Sequence, residues 1–140
     1  MADSKIVVFQ DKQIRRAWMN EQWYFSIADV VEFLTDSVDV KQYIKRMRQR
    51  DPLLNRNWGT ICTPVAMIAA DGRRRSVQAA DVKGLFRIIQ SIPSPKAEPF
   101  KQWLAQVGYE RVQEIENPEL AQERMKAVYE AKGYPKDWID

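Results

Sequence analysis

Residues 22–34, Gln22-Trp23-Tyr24-Phe25-Ser26-Ile27-Ala28-Asp29-Val30-Val31-Glu32-Phe33-Leu34, change their period at Ser26. Before it the chain is aromatic-rich and suits a strand. After it Ile27, Val30, Val31 and Leu34 recur at i, i+3, i+4 and i+7, the spacing of one buried helix face. The Ser26 hydroxyl can cap the first free amides, and Asp29, three residues on, completes a Ser-x-x-Asp capping box. A strand that runs straight into a capped helix points to an α+β domain.

Upstream, residues 5–10 (Lys-Ile-Val-Val-Phe-Gln) and Gln13 to Trp18 read as two more strands. Asp11-Lys12 and Met19-Asn20-Glu21 are the turns, so an antiparallel meander is expected. Downstream, Thr35-Asp36-Ser37 breaks the helical pattern, and Asp36 or Ser37 is placed to cap a second helix. In that helix Val40, Tyr43, Ile44 and Met47 share one face and Lys41, Lys45 and Arg48 another, flanked by Arg46 and Arg50. Two helices joined by so short a turn have the outline of a helix-turn-helix unit.

Asp51-Pro52 ends the second helix, and residues 53–60 read as a loop. Strands are expected over 61–69 and 73–78 around Asp71-Gly72, with Pro64 marking the first as an edge strand or a bent one. A third helix is expected from Ala79 to Gln90, with Val82, Leu85, Phe86 and Ile89 inward and Gly84 at a close-packing position. Ser94 and Pro95 suit the cap and first residue of a further helix whose buried stripe is Phe100, Trp103, Leu104 and Val107. Pro99 argues for a later start, and Gly108 for an end or a kink. Residues 109–116 read as helical, and Asn117-Pro118 restarts a helix that Gly133 ends. The expected architecture is a small antiparallel sheet, an N-terminal meander plus a later hairpin, packed with several helices and followed by a helical C-terminal part. The expected division is a domain over 5–108 and a helical extension over 109–140 that leads into a further domain.

The composition narrows the chemistry. With 140 residues, 45% of them apolar, the chain has material for one core. It has no histidine, which removes Ser-His-Asp and Cys-His catalysis and every His-containing metal site. One cysteine, Cys62, cannot make an internal disulfide or a thiolate zinc site and suits a reducing compartment. No run of about 18 apolar residues is present, and the N-terminus lacks the layout of a signal peptide. The net charge of +3 hides an asymmetry: residues 1–101 carry +6, residues 102–140 carry −3, and residues 41–87 alone carry +8. Such a distribution suggests an anionic partner for the middle of the chain.

Two clusters carry that charge. Residues 41–50 hold five cations and no acid, and a phosphate backbone would relieve their repulsion; the competing reading is an ordinary solvated helix face. Arg73-Arg74-Arg75 follows the expected hairpin turn and would project charge toward phosphates, the competing reading being solubility. Lys83 and Arg87 add to the patch. Arg15-Arg16 reads as edge-strand protection. Trp18, Trp23 and Trp103 fall on strands or apolar stripes and read as core, which leaves Trp58, in a loop beside Arg56 and Asn57, as the tryptophan to stack on a base. Cys62 reads as a buried strand residue. Asp29 and Asp39 read as first-turn helix charges. A hydrolase or nuclease using Asp29, Asp36, Asp39 or Asp51 lacks any gathered acid site.

Several stretches are also familiar. Trp23-Tyr24-Phe25 followed by Ile27-Ala28-Asp29-Val30 resembles the N-terminal domain of the BRO family, found in phage antirepressors and baculovirus repeated-ORF proteins. Gly84-Leu85-Phe86-Arg87-Ile88-Ile89-Gln90-Ser91, then Ser94-Pro95-Lys96-Ala97-Glu98-Pro99-Phe100-Lys101-Gln102-Trp103-Leu104, is similar to the segment that closes this domain in prophage antirepressors. Gly108-Tyr109-Glu110-Arg111 and Tyr129-Glu130-Ala131-Lys132-Gly133-Tyr134 look like the continuation seen in the damage-inducible protein D group. The resemblance implies a non-enzymatic DNA-binding module of α+β build in bacterial or phage cytoplasm, associated with the nucleoid and using no cofactor. The implied partner is double-stranded DNA, with a phage repressor and a second copy of the chain as further candidates and no membrane. It supplies no site residues, so the expected nucleic-acid contacts rest on charge: Lys41, Lys45, Arg46, Arg48, Arg50, Arg73, Arg74, Arg75, Lys83 and Arg87. The alternative is a protein-interaction module that docks on a phage repressor or a DNA-repair protein, with Trp58 and Leu53-Leu54 as anchors.

Overall fold

The computed structural model describes residues 14–135 and 137; the strand expected at 5–10 lies outside them. The fold is α+β. The chain divides into two compact units, Met1–Lys101 and Gln102–Asp140.

In the first unit β1 (Arg16–Met19) and β2 (Gln22–Ser26) form a hairpin, and β3 (Thr63–Ile68) and β4 (Arg74–Ala80) form a second one. The first is closed by Asn20 and Glu21, both at positive φ (53° and 63°), in the two-residue geometry whose twist matches the strands. The second turns at Gly72, whose φ of 82° an L side chain rarely adopts. The hairpins join through Phe25↔Ala80 and Ser26↔Ala79 into one antiparallel sheet of order β1-β2-β4-β3. Pro64 lies in β3, which is an edge strand as its missing amide demands.

Alternation divides the sheet cleanly. One face gathers Tyr24, Val65, Met67 and Ala79, with Ala17, Met19 and Val77 packed around them. The other face carries Phe25 and Ala80, buried beside helices α1 (Ile27–Thr35) and α5 (Val82–Gln90). The two edge strands approach each other, and Arg15 spans the gap by donating from Nη1 to the Ile68 carbonyl at 3.2 Å.

Helix α1 starts where expected, since Ser26 Oγ accepts from the Asp29 amide. The other half of the capping box is absent. The Asp29 carboxylate instead takes the Arg15 backbone amide (2.9 Å) and both Nε (2.8 Å) and Nη2 (3.0 Å) of its side chain, a forked charge-assisted contact that locks the hairpin to the helix. Ile27, Val30, Val31 and Leu34 are buried as their spacing predicts. Helix α2 (Val40–Arg50) is capped by Asp39, which accepts from the Gln42 amide, and not by Asp36 or Ser37; Asp36 closes α1 in the left-handed region.

The loop expected at 53–60 is two short helices, α3 (Pro52–Arg56) and α4 (Trp58–Ile61). Asp51 ends α2 and caps α3 through the Leu54 amide, with Pro52 at the first helical position. Residues 79 and 80 belong to β4, so α5 begins at Val82, which is exposed rather than inward, while Leu85, Ile88 and Ile89 are fully buried. Gly84 is the close-packing position expected: a Cβ there would lie 2.9 Å from the Ile61 carbonyl oxygen and 3.2 Å from the Ala80 Cβ. Ser94 Oγ donates to the Leu34 carbonyl and accepts from the Ala97 amide, ahead of α6 (Glu98–Glu116). Pro99 therefore sits in the first helical turn, where its missing amide does no harm.

Helix α6 continues through Gly108, so that residue does not end it. Of the stripe expected on it only Phe100 is buried; Trp103 and Leu104 are half-buried and Val107 is exposed. In the second unit α7 (Pro118–Ala131) is capped by Asn117, and the buried Glu114 carboxylate accepts from Arg124 Nε. Among the described residues no helix is long and apolar enough to cross a membrane.

Candidate nucleic-acid interface

Helix α2 displays its charge as its spacing predicts. Met47 is its one buried residue, Val40, Tyr43 and Ile44 are half-buried, and Lys41, Lys45, Arg46 and Arg50 are exposed. Arg48 and Arg50 occupy the last turn, where the helix dipole favours cations. Among the described residues none of the five cations belongs to an ion pair.

Arg48 alone among them is held by its neighbours on more than one side. Its Nε donates to Asn55 Oδ1 at 2.8 Å, and its guanidinium carbon lies 4.9 Å from the centre of the Trp58 ring. Lys41, Ile44, Lys45, Arg48, Gln49 and Asn55 line an open recess of about 320 Å³. Arg50 lies over Tyr43 at 5.9 Å.

The hairpin arginines form a second set. Arg73, Arg74 and Arg75 are all exposed beyond the Gly72 turn. Arg75 is ion-paired with Asp71, and that contact, with the Arg73 amide, holds the Asp71 carboxyl below its usual range. Arg74 lines a recess of about 460 Å³ together with Arg15, Arg16, Trp18, Ala66 and Ile68. Trp18 is 60% exposed and meets Trp23 edge-on at 5.2 Å, while Arg16 lies over the Trp23 ring at 4.2 Å. Two of the three tryptophans expected in the core, Trp18 and Trp23, thus stand exposed on the Phe25 face of the sheet.

Helix α5 places its two cations differently. Lys83 is exposed. Arg87 turns to Asp51, with Nη2 3.0 Å from Oδ2, and donates from Nη1 to Ser91 Oγ. Ser91 Oγ donates to the same carboxylate at 2.6 Å. The Ser91 hydroxyl first, then the Leu54 amide and Arg87, push Asp51 down to about 2. Arg87 therefore works as a strut between α5 and the α2–α3 corner.

Of the ten cations expected to share a site, Lys41, Lys45 and Arg48 line one recess on α2 and Arg74 lines another between β1 and β3–β4, while Arg46, Arg50, Arg73, Arg75, Lys83 and Arg87 line neither. The four acids of the hydrolase reading are engaged elsewhere: Asp29 by Arg15, Asp36 by Lys96, Asp39 and Asp51 as helix caps. Among the described residues no three His, Cys, Asp or Glu side chains gather as a metal cage. Cys62 is buried, and burial pushes its thiol up to about 12, so it is not a thiolate.

The model of the BRO family, N-terminal domain, matches residues 13–110. The chain belongs to the BRO family. A search of curated proteins found no match, and a search of solved structures found none either. The family match covers both hairpins and helices α1 to α5, so both basic sets lie within the BRO domain.

Two contributors to the BRO-domain surface escaped the sequence reading, and both had signals. Asp51-Pro52 has the same cap-then-proline form that was read correctly at Asn117-Pro118; applied here, it starts α3 and sets Asn55 beside Arg48. The Asn20-Glu21 turn makes Trp18 face Trp23 directly, which puts both rings and Arg16 on one side of the hairpin. For the side on which that face is exposed the sequence offers no signal.

Proposed function

We propose that this BRO-family chain is the DNA-binding module of a prophage antirepressor-like regulator, acting without catalysis. The observation that carries the reading is the α2 surface: five cations on three turns, none ion-paired among the described residues, on a helix with one buried side chain. Elsewhere in the domain arginines such as Arg15 and Arg87 meet carboxylates. Like charges left together on α2 are relieved when they neutralise the phosphates of a duplex and release its counterions. The proposed contacts are Lys41, Lys45, Arg46, Arg48 and Arg50, with Arg73, Arg74 and Lys83 as a second group. Arg87 and Arg75 are left in supporting roles because each already holds an acid. Phosphate contacts of this kind give affinity and register, while sequence is read by few side chains.

The test is a binding titration with duplex DNA at several salt concentrations. The expected result is affinity that falls by orders of magnitude between about 50 and 200 mM salt. Affinity indifferent to salt would remove the reading.

A second reading, docking on a repressor protein, is favoured by Leu53, which is 59% exposed, and Val38, which stands fully clear of the fold between α1 and α2. Leu54, the other half of the expected anchor, is buried and unavailable. Recovery of a repressor by the chain in the absence of DNA binding, lost on Leu53→Asp, would favour this alternative.

A further inference from the structure

Among the α2 cations Arg48 is set apart by how it is held. The side chains of Lys41, Lys45 and Arg46 make no hydrogen bond within the described residues, and that of Arg50 has only a ring contact. The Arg48 guanidinium is fixed twice, through Nε on Asn55 and through its face toward Trp58. Those contacts leave Nη1 and Nη2 without a hydrogen-bond partner among the described residues, and Arg48 lines the same recess as Lys41 and Lys45. A guanidinium whose Nε is occupied presents its remaining nitrogens as a two-pronged donor. Because the plane is already oriented, little freedom is lost when that fork closes on a ligand.

We propose that Arg48 is a pre-set clamp for a group with two adjacent hydrogen-bond acceptors, and that Asn55 and Trp58 are its positioning residues. The inference rests on the DNA reading of α2 and goes beyond it, since it separates one pre-oriented contact from four cations that are not so held. Two parts of a duplex offer such a pair of acceptors: the O6/N7 edge of guanine and two oxygens of one phosphate. The neighbouring lysines, which are compact charges on flexible stems, supply attraction without direction.

The experiment uses the whole chain and a duplex enriched by the wild-type protein from a randomised pool. Arg48→Lys keeps the charge and removes the fork. It is expected to weaken binding on the order of tenfold while leaving the slope of log affinity against log salt unchanged. Asn55→Ala and Trp58→Ala are expected to weaken binding by several-fold at the same slope, and Trp58→Phe, which keeps an aromatic face, to recover most of the loss. Repeating the Arg48→Lys comparison on the same duplex with 7-deazaguanine separates the two sources. A difference that disappears assigns the clamp to guanine, and one that persists assigns it to phosphate. Arg48→Lys binding as tightly as wild type overturns the clamp, and wild-type binding by both alanine variants overturns the positioning roles. A wild-type chain that retains no duplex from the pool removes the DNA reading itself, and the clamp with it.

Discussion

Helices α2 and α5 are both short and amphipathic, yet they serve the molecule in opposite ways. Helix α5 buries Gly84, Leu85, Ile88 and Ile89, presses its backbone against Ile61, and turns Arg87 back to Asp51. Helix α2 is anchored by Met47 and leaves five cations unmatched by any acid among the described residues. The difference teaches where to look for function in a domain that has no histidine and, among its described residues, no metal cage. A helix whose polar groups are satisfied inside the fold is holding the fold. A helix whose polar groups repel one another is shaped by something outside it.

The largest effects should come from the anchors. Ile88 and Met47 are both fully buried, so Ile88→Ala and Met47→Ala should each destabilise the domain by about 3 kcal/mol in urea unfolding. The second value is the informative one. If Met47→Ala lowers stability by less than about 1 kcal/mol, α2 is not anchored by that side chain and the contrast with α5 must be redrawn.

A smaller effect belongs to the joint between the two helices. Asp51 ends α2, caps α3 and holds Arg87 of α5. Its carboxyl is depressed from an ordinary 3.8 to about 2, so the folded state prefers it ionised. Its stabilising contribution is therefore complete above the ordinary value and fades as pH falls toward and through about 2. Asparagine can still cap α3 but cannot be ionised. The urea midpoint of Asp51→Asn should lie below that of the wild type near neutral pH, and the gap should narrow as both are measured at decreasing pH below about 4. A gap that stays constant through that window would mean that Asp51 acts as a cap alone.

Much of this arrangement is legible in the sequence. The switch of period at Ser26, the Asp71-Gly72 turn and the proline of an edge strand are local signals, and each element they predict is present. The misreadings share a cause: a short polar side chain has several partners within reach, and tertiary geometry chooses among them. Asp29 looked like the second half of a capping box, but Arg15, fourteen residues earlier in the chain, was the stronger partner. Ser37 looked like a cap, but Asp39 was better placed. Trp18 and Trp23 looked like core because aromatic residues in strands usually are; helices α1 and α5 pack by Phe25 and Ala80 and leave the two tryptophans clear. In the candidate site, the positions of Lys41, Lys45 and Arg48 followed from helical spacing alone. The holding of Arg48 by Asn55 and Trp58 did not, because it needs α3 and α4 folded back along α2.

The smallest effect on stability is expected on the surface where DNA binding is proposed, and that inversion is the sharpest form of the contrast. Lys45 is exposed on α2 and joins no ion pair, so Lys45→Ala should leave the unfolding free energy within about 0.5 kcal/mol of the wild type. If its ammonium meets a phosphate, the same change should reduce the slope of log affinity against log salt by about 1. Arg87→Ala removes an equal charge from the same domain. Because that guanidinium is bound to Asp51 and Ser91, its loss should appear in urea unfolding and leave the salt slope as it was. Equal slope changes for both variants would mean that the duplex senses only the net charge of the domain. The separation of α2 from α5 would then carry no functional meaning.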